Sequence, residues 1–272
     1  MKRKYLPAAL VAAVIALIWL GATGCAPAAK DRTPAPAVQP AGQTAAKTPP
    51  PAGIPVLMYH SIGEEKNNEA VIAKERFAEQ MAFLAKQNFQ PISLDELYAY
   101  LSGTGQLPAK PVVLTFDDGY RDTYEVALPI LKQYGFKSVL FIPGTFAGER
   151  LSWQELKEMK AAGMEVQSHS LTHRDLGPMS PAEQAAEITK SKEMLDKFLD
   201  QDTRYFCYPN GSYNADTLRL LKEKGFRLAV TIEPGWVKLH DEPLTLKRVW
   251  MGNGVDLAHF EERLTRSDYS IL

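Results

Sequence analysis

Cysteine is scarce in this sequence, and neither sign of charge is in excess. Only 2 of the 272 residues are cysteine, Cys25 and Cys207, so a fold held together by several disulfides is excluded. Lysine and arginine number 31, against 32 aspartate and glutamate residues, which gives a formal net charge of −1. This balance creates no overall field that attracts nucleic acid or an anionic membrane, so we expect no nucleic-acid partner.

A long apolar run stands at the start of the chain. It covers residues 6–20, follows three basic residues and ends in Gly-Ala-Thr-Gly before Cys25. This is the layout of a secretory signal, and it resembles the lipobox of bacterial lipoproteins. The resemblance implies that residues 1–25 are a lipoprotein signal peptide, with Cys25 lipidated as the mature N-terminus. An uncleaved membrane anchor is the alternative, because about 20 apolar residues suffice to span a bilayer.

Both alternatives predict an extracytoplasmic protein, either membrane-anchored or at the cell surface. Residues 26–53 are rich in alanine and proline and have no apolar period, which predicts a disordered tether. With Cys25 lipidated, no intramolecular disulfide can form. We expect one folded domain over residues 54–272, which the lipid tethers to the membrane. We also expect the protein to be a monomer.

Predicted strands and helices alternate from Ile54 onward, which is typical of an α/β fold with a parallel sheet. Seven or eight such units in about 220 residues favour a distorted (β/α)7-type barrel, similar to a TIM barrel, over an open sheet. The sequence also lacks a Gly-x-Gly-x-x-Gly motif after any predicted strand, which removes support for a dinucleotide-binding fold. Helices are predicted over residues 122–134 and 181–199, the latter with Ile188, Met194, Leu195 and Phe198 together on its apolar side.

Two clusters of chemically active residues follow predicted strands. A largely apolar run at residues 112–116 ends on Asp117, Asp118 and a glycine. Asp-Gly is also a favoured hairpin turn, but the helical pattern that follows indicates a strand end. His169 and His173 follow another strand at a spacing of four residues, and they could bind one zinc-like ion if the turn between them is helical. Two unconnected surface histidines are the alternative.

Together, Thr-Phe-Asp-Asp-Gly at residues 115–119 and Ser-His-Ser-Leu-Thr-His at residues 168–173 resemble the polysaccharide deacetylases of the NodB-homology type, carbohydrate esterase family 4. The resemblance implies a divalent metal bound by Asp118, His169 and His173, and Asp117 as catalytic base. We expect Zn²⁺, with Ni²⁺ or Co²⁺ as alternatives. It also implies that the backbone N–H of Asn210 stabilises the oxyanion.

The catalytic acid has two candidates. Leu-Ala-His at residues 257–259 matches the Leu-x-His pattern of the family's C-terminal motif. His259, however, lies in a predicted helix instead of at a strand end. Val-Leu-Met-Tyr-His-Ser at residues 56–61 resembles a permuted branch of the family, which contains poly-β-1,6-N-acetylglucosamine N-deacetylases of biofilm systems. We therefore assign His60 as the acid.

One residue departs from the family pattern. Cys207 stands where the family has an arginine that orients the base, and Arg248 is the candidate that supplies this charge; a structural arginine at a strand end is the alternative. Cys207 itself is interpreted as a core residue and not as a nucleophile, because it lies between aromatic residues.

Aromatic residues near strand ends could stack on sugar rings. The candidates are Tyr120, Tyr208, Trp236 and Trp250, with Trp236 the preferred sugar platform.

The resemblance implies an enzyme that removes acetyl groups from N-acetylglucosamine units of an extracellular polysaccharide, with poly-β-1,6-N-acetyl-D-glucosamine the expected substrate. Peptidoglycan, chitin oligomers and acetylated xylan are alternatives. A catalytically inactive carbohydrate-binding lipoprotein is the rival from another class, although such a binder has no need for a free base beside the metal.

Overall fold

The computed structural model describes residues 53–64 and 67–271. The predicted signal peptide, the lipidation site Cys25 and the tether up to residue 52 lie outside the described residues. Within the described part of the chain, no helix combines the length and the apolar character needed to cross a bilayer.

Seven parallel strands close into a barrel, which confirms the predicted fold class. The strands in chain order are β1 (Val56–Tyr59), β2 (Ser61–Ile62), β3 (Val71–Ile72), β4 (Gln90–Pro91), β5 (Pro111–Asp117), β6 (Ser138–Ile142), β7 (Met164–Ser168), β8 (Tyr205–Cys207), β9 (Leu228–Pro234) and β10 (Leu246–Trp250). The barrel runs β1, β10, β9, β8, β7, β6, β5 and back to β1. β4 pairs in parallel with the N-terminal end of β5, and β2 pairs with β3 outside the barrel.

Helices connect the barrel strands. They are α1 (Lys74–Lys86), α2 (Leu94–Leu101), α3 (Leu128–Tyr134), α4 (Trp153–Ala161), α5 (Pro181–Leu199), α6 (Ala215–Glu223) and α7 (Leu257–Thr265), with a π-helix at Thr123–Ala127 and a 3₁₀ turn at Pro209–Gly211. Ser93 and Glu96 form the capping box that begins α2.

Alternate residues of each barrel strand belong to different parts of the core, because side chains of a strand point to opposite faces. In β5, Leu114 and Phe116 pack in the cluster that includes the surrounding helices, whereas Val113 packs with Val139 and Val230 of other strands inside the barrel. Thr115 and Asp117 share the inward face of Val113 by this period of two. Asp117 therefore ends the inner row at the carboxyl edge of the barrel.

The structure corrects two local predictions. The helix expected over residues 122–134 is present but contains a π turn: Leu128 donates its N–H to the carbonyl of Thr123, and the α-helical pattern resumes from Leu128. Pro129 has no N–H to bond the carbonyl four residues earlier, which prevents a continuous α-helix here. Phe198 is 42% exposed instead of buried, and it stacks on Trp153 of α4 at the surface.

Candidate active site

The two aspartates at the end of β5 have different backbone conformations. Asp117 is the last residue of the strand, and the next two residues, Asp118 and Gly119, have positive φ angles of 70° and 67°. A Cβ on Gly119 would lie 2.6 Å from Cδ1 of Ile142, so only glycine fits this turn without displacing that side chain. The Asp-Gly pair forms no hairpin, since β5 pairs in parallel with β1 and β6.

Asp117 is buried and bonded to Arg248, the inward residue of β10. Nη1 of Arg248 lies 2.9 Å from Oδ1 of Asp117, and Nη2 lies 2.7 Å from Oδ2. The remaining guanidinium donors reach the carbonyl of Thr231, the hydroxyl of Thr115 and the sulfur of Cys207. All five N–H donors of this buried side chain are therefore used, and the planar pair fixes the orientation of the carboxylate.

Charge determines the ionisation of Asp117. Burial acts to raise its pKa, but the opposing charge and hydrogen bonds of Arg248, with a further contribution from His60, hold the pKa below its usual value. Asp117 is therefore an ionised carboxylate at neutral pH, bonded on both oxygens and still at the wall of a cavity.

Cys207 is wholly buried inside the barrel beside this pair. Its sulfur accepts from Nη2 of Arg248 at 3.2 Å and lies 3.5 Å from Oδ2 of Asp117. Burial raises the pKa of the Cys207 thiol well above its usual value. A protonated, buried thiol is not a nucleophile, which agrees with the interpretation of Cys207 as a core residue.

Three ligand atoms converge next to the Asp117–Arg248 pair. Oδ1 of Asp118 lies 3.3 Å from Nε2 of His169 and 3.0 Å from Nε2 of His173, and the two Nε2 atoms are 3.2 Å apart. A tetrahedral ion with bonds of about 2.0–2.2 Å separates its ligand atoms by about 3.3–3.6 Å, slightly more than the distances here. The donor set and its spacing therefore fit a zinc-like divalent cation.

The surroundings of His169 also suit metal binding. Nδ1 of its ring lies 2.8 Å from the carbonyl oxygen of Cys207, which leaves Nε2 for an ion. The hydrogen bond to Asp118 and that residue's negative charge raise the pKa of His173 against the effect of burial. The two imidazoles hold the pKa of Asp118 far below its usual value, although burial alone would raise it.

The loop that carries both histidines is not a helical turn, yet their Nε2 atoms converge. Ser170 and His173 have left-handed φ angles of 63° and 61°, and the Ser170 hydroxyl accepts from the N–H of His173. Buried Glu187 of α5 accepts the N–H groups of Leu171 and Thr172 at 3.0 and 2.8 Å. It also accepts the Thr172 hydroxyl at 2.7 Å. The histidines thus converge because Glu187 fixes a tight irregular loop.

A second group, Asp117, His169 and Cys207, also has candidate ligand atoms within 4.8 Å of one another. Arg248 already bonds both oxygens of Asp117 and the sulfur of Cys207. A divalent cation there would lie against a buried guanidinium, which is electrostatically unfavourable. The group of Asp118, His169 and His173 is therefore the better candidate for the metal.

His60 follows β1 and faces the same cavity, as the prediction requires. Its Nε2 lies 4.0 Å from Oδ2 of Asp117, and its ring packs 5.1 Å from the ring of Trp250. Burial lowers the pKa of His60, although the carboxylates of Asp117 and Asp118 partly oppose the shift. His259, by contrast, lies in α7, where its ring bonds the capping residue Asp256.

The cavity has a volume of about 480 Å³ and opens at the carboxyl ends of the strands. Its wall includes Tyr208 and Asn210, the two residues predicted to bind substrate after β8. The ring of Tyr208 is wholly buried: it stacks on Tyr213, and its hydroxyl donates to the carbonyl of Leu244, so the prediction that this ring stacks on a sugar is wrong. Asn210 has a left-handed φ of 52°, and its side chain bonds Asp175.

The prediction for Trp236 is wrong. Its side chain is 8% exposed, packs in the core and donates its indole N–H to the carbonyl of Arg263 at 2.9 Å. No ring face is available to a sugar. Trp250, at the end of β10, lines the cavity in its place.

Glu187 was not predicted from the sequence, although the pattern of polar residues in α5 indicates it. Gln184, Glu187 and Ser191 lie on one face of α5 at helical spacing, among positions that bury the helix against the barrel. Polar residues on a buried helical face must bond something, and here Glu187 bonds the histidine loop.

The fold and the site together define an α/β barrel that carries a candidate metal centre at its carboxyl end. A profile of the family described as polysaccharide deacetylase matches residues 104–229. The protein YxkH of Bacillus subtilis (strain 168), whose name assigns it to the polysaccharide deacetylases, is 34% identical over 216 residues, which cover 79% of this chain and 77% of YxkH. The chain belongs to the polysaccharide deacetylase family.

Two further relatives agree with this assignment. The deacetylase PplD of Streptococcus pyogenes, solved in complex with acetate, superposes with a TM-score of 0.75 and 31% identity, covering 80% of this chain and 100% of PplD. A poly-β-1,6-N-acetyl-D-glucosamine N-deacetylase of Staphylococcus aureus (strain MSSA476) is 27% identical over 228 residues, covering 78% of this chain and 77% of that protein.

Proposed function

We propose that this protein is a metal-dependent N-deacetylase that removes acetyl groups from N-acetylglucosamine units of an extracellular polysaccharide. One observation carries the proposal: Asp118, His169 and His173 converge as a ligand set beside Asp117, a carboxylate paired with Arg248 in the same cavity. A divalent cation at this set would polarise an amide carbonyl and lower the pKa of a water.

Asp117 is the base in this reaction. Its carboxylate accepts the proton of the attacking water, while Arg248 keeps the carboxylate in one orientation. A base must be ionised before it accepts a proton, and the lowered pKa of Asp117 ensures this at neutral pH. The role of Arg248 is therefore to orient Asp117 and to keep it charged.

His60 is the acid. It faces Asp117 across 4.0 Å and donates a proton to the amine nitrogen as the C–N bond breaks. The backbone N–H of Asn210 is assigned as the donor that stabilises the carbonyl oxygen in the transition state. Tyr208 forms part of the cavity wall next to Asn210.

We infer that poly-β-1,6-N-acetyl-D-glucosamine in biofilm formation is the substrate. Support comes from residues 56–61, which resemble the permuted branch of the family, and from the similarity to the staphylococcal enzyme that acts on this polymer. Zn²⁺ is the proposed metal. We further propose that the chain is a monomer outside the cytoplasm, tethered through a lipid on Cys25.

Acetate release tests the proposal. The metal-loaded protein is incubated with 1,6-linked and 1,4-linked N-acetylglucosamine oligomers of equal length and with peptidoglycan fragments. We expect faster release from the 1,6-linked oligomer. Faster release from the 1,4-linked material would assign a chitin or peptidoglycan substrate, and no release from any of them would favour the carbohydrate-binding alternative.

A further inference from the structure

The chain after the second metal-ligand histidine is tied to the turn that follows β8. Nδ2 of Asn210 donates to Oδ1 of Asp175 at 2.8 Å. The Ser212 hydroxyl accepts the N–H of Gly177 at 3.1 Å, and the side chain of Asn214 donates to the carbonyl of Gly177 at 2.7 Å. Of these three contacts, the one between Asp175 and Asn210 reaches a residue of the cavity wall.

The backbone of Asn210 has an unusual conformation that this contact stabilises. Its φ angle is 52°, in the left-handed region, and Gly211 follows at 67°. Residues other than glycine adopt this region at an energetic cost, which asparagine reduces through hydrogen bonds of its side chain. A bond to a carboxylate is stronger than one between neutral groups. Asp175 therefore helps to keep residue 210 in one conformation.

The backbone N–H of Asn210 is open. Pro209 before it has no N–H, and the N–H of Gly211 after it donates to the carbonyl of Tyr208 at 2.9 Å. Within residues 53–64 and 67–271, no group accepts the N–H of Asn210. The residue is exposed and lines the cavity that contains Asp117 and His60. An unused backbone donor at the cavity wall suits an oxyanion.

We propose that Asp175 is a positioning residue for this oxyanion donor. Asp175 is exposed and lines no part of the cavity, so it acts only through its bond to Asn210. The inference rests on the proposed function, which assigns the N–H of Asn210 to the carbonyl oxygen. Because Asp175 follows His173 by two residues, the same bond fixes the donor relative to the loop of the metal ligands.

The backbone conformation of residue 210 is measured first, because this measurement needs no turnover. The full chain is labelled with isotope-enriched asparagine, and the Cα and amide chemical shifts of Asn210 report its φ angle. Asn210→Gly identifies the signal by removing it. We expect one left-handed conformer in the unmodified protein and in Asp175→Asn, whose side-chain oxygen still accepts from Nδ2. In Asp175→Ala the signal should lose its left-handed shifts.

Steady-state kinetics then measure what the position of the donor contributes. The Zn²⁺-loaded protein is assayed on the oligomer from which it releases acetate fastest. Asp175→Ala should lower kcat by about 10–100-fold, within the loss of 10²–10³-fold that removal of a whole oxyanion donor causes. KM should stay within about twofold, because the interaction is made only in the transition state. Asp175→Asn should keep kcat within about threefold of the unmodified protein.

A second variant removes the same bond from the other side. Asn210→Gly still allows the left-handed conformation but has no side chain to bond Asp175. It should lower kcat as much as Asp175→Ala, and the double variant should lose no more than either single variant. Glu223→Ala is the control: it removes an exposed ion pair with Arg219 on α6 and should leave kcat unchanged.

Different results would contradict the two parts of the proposal. A left-handed residue 210 in Asp175→Ala would show that Asp175 does not position it. A changed conformation with an unchanged kcat would show that the position is irrelevant to the reaction, and equal losses in Asp175→Asn and Asp175→Ala would exclude the hydrogen bond as the cause. If the unmodified protein releases no acetate from any oligomer, the proposed function fails, while the chemical shifts still decide whether Asp175 positions Asn210.

Discussion

Arg248 and Asp117 form a buried, two-pronged ion pair that joins β10 to β5 across the interior of the barrel, with N–O distances of 2.9 and 2.7 Å. This contact places a guanidinium next to the base from a different strand than the one that carries Cys207. A positive charge from β10 thus lies beside Asp117, where Cys207 of β8 supplies none.

Arg248→Met should abolish most activity and destabilise the fold. Loss of the partner leaves Asp117 buried and uncompensated, which costs about 3–5 kcal/mol and raises its pKa, so that less of the ionised base remains. Chemical denaturation and acetate release measure the two effects. Arg219→Met, at an exposed site, is the matched control; an Arg248→Met protein with unchanged stability and rate would contradict the pairing.

Cys207→Ala should keep activity within about tenfold of the unmodified protein. The thiol accepts one bond from Arg248, whose bonds to Asp117 do not depend on it, so the expected cost is that of a small buried side chain. Steady-state kinetics with the 1,6-linked oligomer check this. A loss of more than a hundredfold without a loss of stability would show that the sulfur takes part in the reaction.

The two candidate acids can be separated by one pair of substitutions. His60→Gln should reduce the turnover rate by about 10²–10⁴-fold, the usual contribution of a general acid. His259→Gln should have no effect on turnover, because its ring bonds Asp256 at the start of α7. If the larger loss followed from His259→Gln, the assignment of the acid to the first strand would be wrong.

Glu187→Gln should weaken metal binding by about 10–100-fold, the usual effect of altering groups that support metal ligands. The amide cannot accept all three bonds that hold the histidine loop. Titration with Zn²⁺ in a competing chelator measures the affinity. Glu193→Gln, at an exposed position on the same helix, is the control and should bind metal normally.

Glu165, on β7, predicts a pH dependence of stability. It accepts the N–H of Leu94 at 2.9 Å, and burial raises its pKa from 4.5 to about 7. The folded state therefore binds this proton more tightly than the unfolded state. The contribution to stability is complete below pH 4.5 and is lost as the pH rises through 7.

Glu165→Gln removes this titration. The variant should be more stable than the unmodified protein at pH 8, by about 1–3 kcal/mol, with the difference shrinking towards pH 4.5. Urea unfolding at several pH values measures it. A difference that stays constant from pH 4.5 to pH 8 would show that Glu165 does not titrate in this range.

The sequence predicted the barrel and the principal residues of the site for the same physical reason. In a parallel barrel all strands end at one edge, so Asp117, Asp118, His169 and His60 had to approach one another once their strands were identified. The two-residue period within β10 likewise places Arg248 inside the barrel.

Features set by tertiary contacts could not be predicted in this way. Trp236 and Trp250 both stand near strand ends, and only the packing of α7 decides that Trp236 is buried. The turn between His169 and His173 depends on a glutamate 14 residues further on from the second histidine, in α5. Pro129 predicts a local irregularity in its helix, but its place in the sequence does not show that a π turn accommodates it.

The unequal roles of the two aspartates are the centre of this account, and one comparison tests them directly. Metal content and acetate release are measured for the unmodified protein, Asp117→Asn and Asp118→Ala after loading with Zn²⁺. We predict one ion per chain and no turnover for Asp117→Asn, and neither metal nor turnover for Asp118→Ala. An Asp117→Asn protein that lost its metal, or an Asp118→Ala protein that kept both metal and activity, would contradict the account.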